Sequence, residues 1–140
     1  MRNLGTNLGL LILRVGFAKA MIYCHGWKKL VHFNEVMVNF PDPLGWGART
    51  SLTLVVFAEV FCAFFVILGL FTRFATVPLI ITMFVAAFVQ MGALPLPERE
   101  LPLLFLVAFS TVFPCGPGRY SLDSLIWKNR SVLPQKNWWK

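Results

Sequence analysis

Arg14, Lys19 and Glu59 each lie inside a long apolar stretch, where an ionisable side chain is rare and calls for a partner or a function. At membrane depth each costs about 2.5–3.5 kcal/mol even on the gentler insertion scales. With stretch midpoints near residues 17 and 61, Lys19 and Glu59 fall about 3 Å to the outer side of centre and Arg14 about 4.5 Å to the inner side. Either base can bridge such an offset. Helical phase separates them: Arg14 and His25 are 11 residues apart and share a face with Ala18 and Ile22, whereas Lys19 is rotated roughly 140° from Arg14. The expectation is an inward Arg14–Glu59 pair with His25 at the outer mouth of the same groove, and Lys19 turned toward another acid or a partner subunit. Such a pair can do one of two things: register two helices, or form a polar pocket for a redox-active or protonatable ligand. For His25 alone, an interfacial histidine bonded to backbone is the plainer alternative. Thr82 and Gln90 read as locally satisfied packing residues.

The elements that must carry these residues are membrane helices. Of the 140 residues 57% are hydrophobic and 14% charged, and the mean hydropathy is +0.68. A soluble domain carries roughly 25% charged residues. Nothing here could form the polar shell such a domain needs. Phe74 to Pro97 is 24 residues without a charge, and Leu101 to Gly118 is also charge-free. The reading is all-α: a single domain, a transmembrane four-helix bundle with spans at about 8–27, 52–71, 74–92 and 101–113. Between the first two spans, Leu30, Phe33, Met37 and Phe40 recur at helical spacing and predict a short amphipathic helix. Pro41-Asp42-Pro43 ends it, Gly45 and Gly47 loosen the return, and Thr72-Arg73 turns the second span into the third. After Pro114 to Gly118, Ser121 can cap a short interfacial C-terminal helix with Asp123 in its first turn. Tyr120, Trp127, Trp138 and Trp139 suit the headgroup region.

The net charge of +7 forms no basic stripe with interleaved aromatics, so the partner it implies is anionic lipid and not nucleic acid. Arg2, Arg73, Arg119, Lys128, Arg130, Lys136 and Lys140 fall on one side of the spans, and Lys28, Lys29, Arg49 and Arg99 on the other. That excess predicts both termini in the cytoplasm. Ala18-Lys19-Ala20 imitates a signal-peptidase site, but Arg14 and Lys19 interrupt the apolar run, so the first helix is expected to be kept. Cys24, Cys62 and Cys115 are too scattered for a metal site or a disulfide framework and read as small apolar thiols.

Several segments together resemble the DoxX family of small four-helix membrane proteins. They are Leu13-Arg14-Val15-Gly16, Cys24-His25-Gly26-Trp27-Lys28-Lys29-Leu30, Glu59, Leu68-Gly69-Leu70-Phe71-Thr72-Arg73, and Gly116-Pro117-Gly118-Arg119-Tyr120-Ser121-Leu122-Asp123. The resemblance implies a bacterial inner-membrane protein that serves as a membrane partner in oxidoreductase systems, near thiosulfate:quinone oxidoreductase subunits. Carried over by position, it implies ligand or proton-site candidates Arg14, His25, Lys29 and Glu59. Gly69, Arg73, Gly118, Arg119, Tyr120 and Asp123 are the motif residues. No haem pair, cluster-binding cysteines or dinucleotide-binding glycines are present in the sequence and no cofactor is evident in it, so any electron carrier is either a bound quinone or sits in a partner. Protein partners or self-association follow from the same likeness. A non-catalytic scaffold and, less favoured, a small-molecule or lipid carrier are the competing functions. The long aromatic first loop and Lys19 depart from the family pattern and leave the substrate open.

Overall fold

Backbone groups in lipid find no partner except their own helix, so the long apolar runs must be helical. The computed structural model describes residues 3–130 and is helical throughout, with no strand among the described residues. The elements are α1 (Leu4–Val31), α2 (Phe33–Val38), α3 (Ala48–Leu68) and α4 (Thr72–Gln90). After a 3₁₀ turn at Leu96–Arg99 come α5 (Glu100–Cys115) and α6 (Leu122–Arg130). Among the described residues, α1, α3 and α4, at 28, 21 and 19 residues, are long and apolar enough to cross a membrane. At 16 residues α5 is shorter than the span of about 20 that a bilayer asks for. Arg2, Lys136, Trp138, Trp139 and Lys140 lie outside the described residues.

Small residues let these helices approach closely. Ala18, Ala58, Ala63 and Ala75 are buried with Met21, Cys62, Val66, Leu79, Met83, Phe105 and Phe109 in one core. The outward surface is apolar too: Phe57, Phe61, Phe64, Phe74 and Phe84 are all more than half exposed. That arrangement suits lipid as solvent. Cys62 is buried as expected, but Cys24 is exposed.

Three local expectations change. First, α1 does not end near Trp27 but continues through Lys28 and Lys29 to Val31. Gly26 is no terminator. It sits in a π-helical turn, Ile22–Gly26, and a Cβ there would lie 2.7 Å from Val60 and 2.9 Å from the Glu59 carbonyl oxygen. Its role is to let α1 touch α3. Second, Gly69 makes the turn between α3 and α4, at φ +70°, and the Leu70 N–H returns to the Phe65 carbonyl. Thr72 and Arg73 already belong to α4. Third, the return after Pro43 is not loose. The Asp42 carboxylate accepts hydrogen bonds from the Trp46 and Gly47 amides and the Ser51 hydroxyl, tying the loop to the first turn of α3. The short amphipathic helix is present in part: Phe33 and Met37 within it and Phe40 just beyond it are half-buried while Asn34, Glu35 and Asn39 are exposed, but Leu30 is exposed and belongs to α1. Ser121 caps α6 through the Ser124 amide.

Candidate functional site

Glu59 occupies the middle of α3 within a second π-helical turn, Phe57–Cys62. Its side chain is 3% exposed. It pairs not with Arg14 but with Lys29, whose Nζ donates to Oε1 at 2.9 Å and to Oε2 at 2.7 Å. The expected Arg14–Glu59 pair is therefore replaced. Gly26 lies against Glu59, and one turn further along α1 Lys29 reaches it, whereas Arg14 lies against Gly69 at the far end of α3. With Gly26 level with Glu59, α1 and α3 are slid past each other relative to the alignment that the midpoints suggest.

The ion pair faces a cavity of about 440 Å³ enclosed by α1, α3, α4 and α5 and by the loop after α2. His25 lines it and packs its ring edgewise on Phe105, with centroids 5.6 Å apart. The walls are mainly apolar: Met21, Leu54, Met83 and Phe105 from the helices, and Phe40, Leu44 and Trp46 from the loop that Asp42 anchors. Thr82 and Gln90 also line it. The Thr82 hydroxyl is satisfied by the Pro78 carbonyl, as expected of a packing residue. Gln90 is exposed and stands at the cavity. A third π-helical turn, Val85–Gln90, contributes Val85, Ala86 and Gln90. Each long helix thus carries one π turn, and all three open onto this one space. Single π turns inside α-helices recur at functional sites because the extra residue re-aims side chains at the cost of a regular ladder.

The remaining motif residues form a separate, structural cluster. Arg14 is 1% exposed and donates to the Pro117 carbonyl at 3.0 Å and the Tyr120 carbonyl at 2.7 Å. Gly69 faces it so closely that a Cβ would lie 2.0 Å from its Nη1. Asp123 serves a helix other than its own: its carboxylate accepts from the Phe71 and Thr72 amides and the Thr72 hydroxyl, capping α4. Arg73 donates to the Pro114 carbonyl, and the Arg119 amide donates to Asn7. Gly118, at φ +78°, rests on Leu10. Tyr120 contributes its carbonyl while its side chain remains partly exposed. This cluster and the cavity residues are about 20 Å apart along α1, since Arg14 and Lys29 are separated by 15 residues. Lys19 belongs to neither. It is exposed and makes no ion pair among the described residues.

A family model, DoxX, matches residues 9–92. The chain belongs to the DoxX family. The matched region contains Arg14, Lys29, His25, Glu59 and all three π turns of this DoxX chain. An uncharacterized protein of Haemophilus influenzae is 30% identical over 147 residues, covering 100% of this chain and 95% of that protein. No solved structure matches significantly.

Sequence reasoning named His25, Lys29 and Glu59 but missed the loop residues Phe40, Leu44 and Trp46 as cavity walls. Their signal was the aromatic excess of the first loop, which reads equally well as an interfacial surface. The π turns leave no sequence pattern of their own.

Proposed function

We propose that this chain is an integral membrane subunit of an oxidoreductase system and holds a quinone-class headgroup in the cavity beside Lys29 and Glu59. The observation that carries the reading is a buried carboxylate–ammonium pair lining a mainly apolar cavity. A pair that only registers two helices has no need to face open space. Flat apolar walls suit a ring, and the Lys29 ammonium, with three N–H donors and at most two engaged by Glu59, keeps one for a ligand carbonyl. His25, on the same wall, can donate to or accept from a second ligand oxygen. Glu59 is the group that can hand over or receive a proton when the ligand changes charge, with Lys29 stabilising the carboxylate in between. Electrons come from a partner in this scheme, and the chain contributes binding, orientation and proton exchange.

In this reading α5 completes a four-helix bundle in a bacterial inner membrane, its short length extended by the Leu96–Arg99 turn, and both termini face the cytoplasm. The test is a small-molecule inventory by mass spectrometry of the gently solubilised protein. A quinone that copurifies with the wild type and is lost in Glu59→Gln supports the reading. Equal amounts in both proteins overturn it. A second reading, a non-catalytic scaffold, draws on Lys19: a lysine midway along α1 on the lipid-facing surface is costly unless an acid of a neighbouring protein meets it. Copurifying polypeptides lost in Lys19→Leu, with no small molecule, would favour that role.

A further inference from the structure

A second space lies on the lipid-facing side of α1 and α5, an open crevice of about 590 Å³ lined by Gly9, Ile12, Gly16, Phe17, Ala20 and Leu104, together with Leu101 and Phe105. Every side chain on it is apolar. Leu101 and Phe105 also line the cavity of the ion pair, so these two residues form the partition between the two spaces. Phe105 is 4% exposed and is held edge-on by Phe17 at 5.7 Å on the crevice side and by His25 at 5.6 Å on the cavity side. The crevice exists because two glycines leave it empty. A Cβ built on Gly9 or Gly16 would meet nothing within 4 Å, so neither glycine is needed for helix contact inside the protein. Gly26, on the same helix, shows what a packing glycine looks like here, with its Cβ position blocked by α3.

We propose that this crevice is the seat of a long apolar chain, isoprenoid or acyl, attached to the headgroup held in the cavity, so that the ligand is an amphiphile drawn from the bilayer. The inference rests on the cavity's being a ligand site, as proposed above. A chain leaving the cavity over Leu101, which is 48% exposed and lines both spaces, enters an apolar trough open to lipid. Because lipid tails are as apolar as the crevice, the gain from seating the chain comes from packing and not from dehydration. The preference for a tailed ligand is therefore moderate, about three- to tenfold, which a handful of net atom contacts at roughly 0.1–0.2 kcal/mol each supplies.

The experiment uses the full chain in lipid nanodiscs and two probes: a tail-less dimethoxy-methyl-benzoquinone and the same ring bearing a decyl tail, with affinities expressed per mole of bilayer lipid for the tailed probe. Wild type, Gly16→Leu and Glu59→Gln are compared, and comparison within one bilayer cancels the partitioning of the tail. The expected result is that Gly16→Leu removes the tailed probe's advantage while Glu59→Gln weakens both probes. Should Gly16→Leu fold poorly, Gly9→Leu fills the same crevice. A tail advantage untouched by either leucine overturns the crevice and leaves the headgroup site standing. If neither quinone binds in a Glu59-dependent way, the headgroup reading fails, and a diazirine-bearing fatty acid decides the crevice by itself. Labelling concentrated at residues 9–20 and 101–105 and lost in Gly16→Leu supports a chain site there. Labelling spread evenly over the lipid-facing helices shows bulk lipid only and overturns it.

Discussion

Replacing Lys29 with methionine strands the Glu59 carboxylate, and the structure sets the size of the loss. Removing one partner of a buried pair costs about 3–5 kcal/mol. Lys29 is 25% exposed, which lets water approach and places the figure near the lower bound. Lys29→Met should therefore lose about 3 kcal/mol. Adding Glu59→Gln removes the charge, and the double variant should stand within about 1 kcal/mol of wild type. The assay is reversible unfolding in mixed micelles, run as a double-mutant cycle. Arg14→Met provides the contrast. Its two carbonyl partners are on the segment before α6, so Glu59→Gln should not rescue it. A cycle in which Glu59→Gln rescues Arg14→Met and leaves Lys29→Met unimproved would refute the pairing argued here.

Gly69→Ala combines left-handed strain with a Cβ driven into Arg14 and should cost at least about 3 kcal/mol by thermal unfolding, against about 1 kcal/mol for Gly45→Ala, where φ is +71° and space is open. Gly26→Ala pushes against the Glu59 backbone; it should separate α1 from α3, measurable as a lengthened spin-label distance between residues 19 and 64. Hydrogen bonds from Ser51 and from the Gly47, Trp46 and Gly45 amides hold the Asp42 carboxyl below its ordinary range. Its contribution is thus present above the unfolded value and is lost as the pH falls through the folded one. Protection of the Trp46 and Gly47 amides from hydrogen exchange should fall only at a pH below the ordinary carboxylate range in the wild type, and should be lost at neutral pH in Asp42→Ala. Reporter fusions after Asp42 and after Pro97 should report the outside and one after Arg73 the inside; a fusion after Arg73 that reports outside refutes the topology.

Composition by itself decided the solvent of this protein. With so few charges in such long apolar runs, the backbone had to close its hydrogen bonds within helices, and the breaks at Pro41–Gly47 and Gly116–Gly118 followed from residues that end helices, whereas the turn expected at Thr72-Arg73 falls at Gly69. The Ser121 cap and the half-buried face of Phe33, Met37 and Phe40 were legible because they are local. The identity of the charged residues at depth was legible too, since each is anomalous where it stands. Their partners were not. Pairing depends on how far one helix slides along another, and that register is set by contacts with no sequence period: Gly26 against the Glu59 backbone, and Gly69 against Arg14. A slip of one or two turns is enough to exchange Arg14 for Lys29 as the partner of Glu59. Asp123 shows the same limit, because a carboxylate in the first turn of one helix serves the amides of whichever helix end lies nearest. The cavity is the most tertiary feature of all. It exists where three π turns, a loop fastened by Asp42 and the ring of Phe105 meet, and no one segment carries its outline.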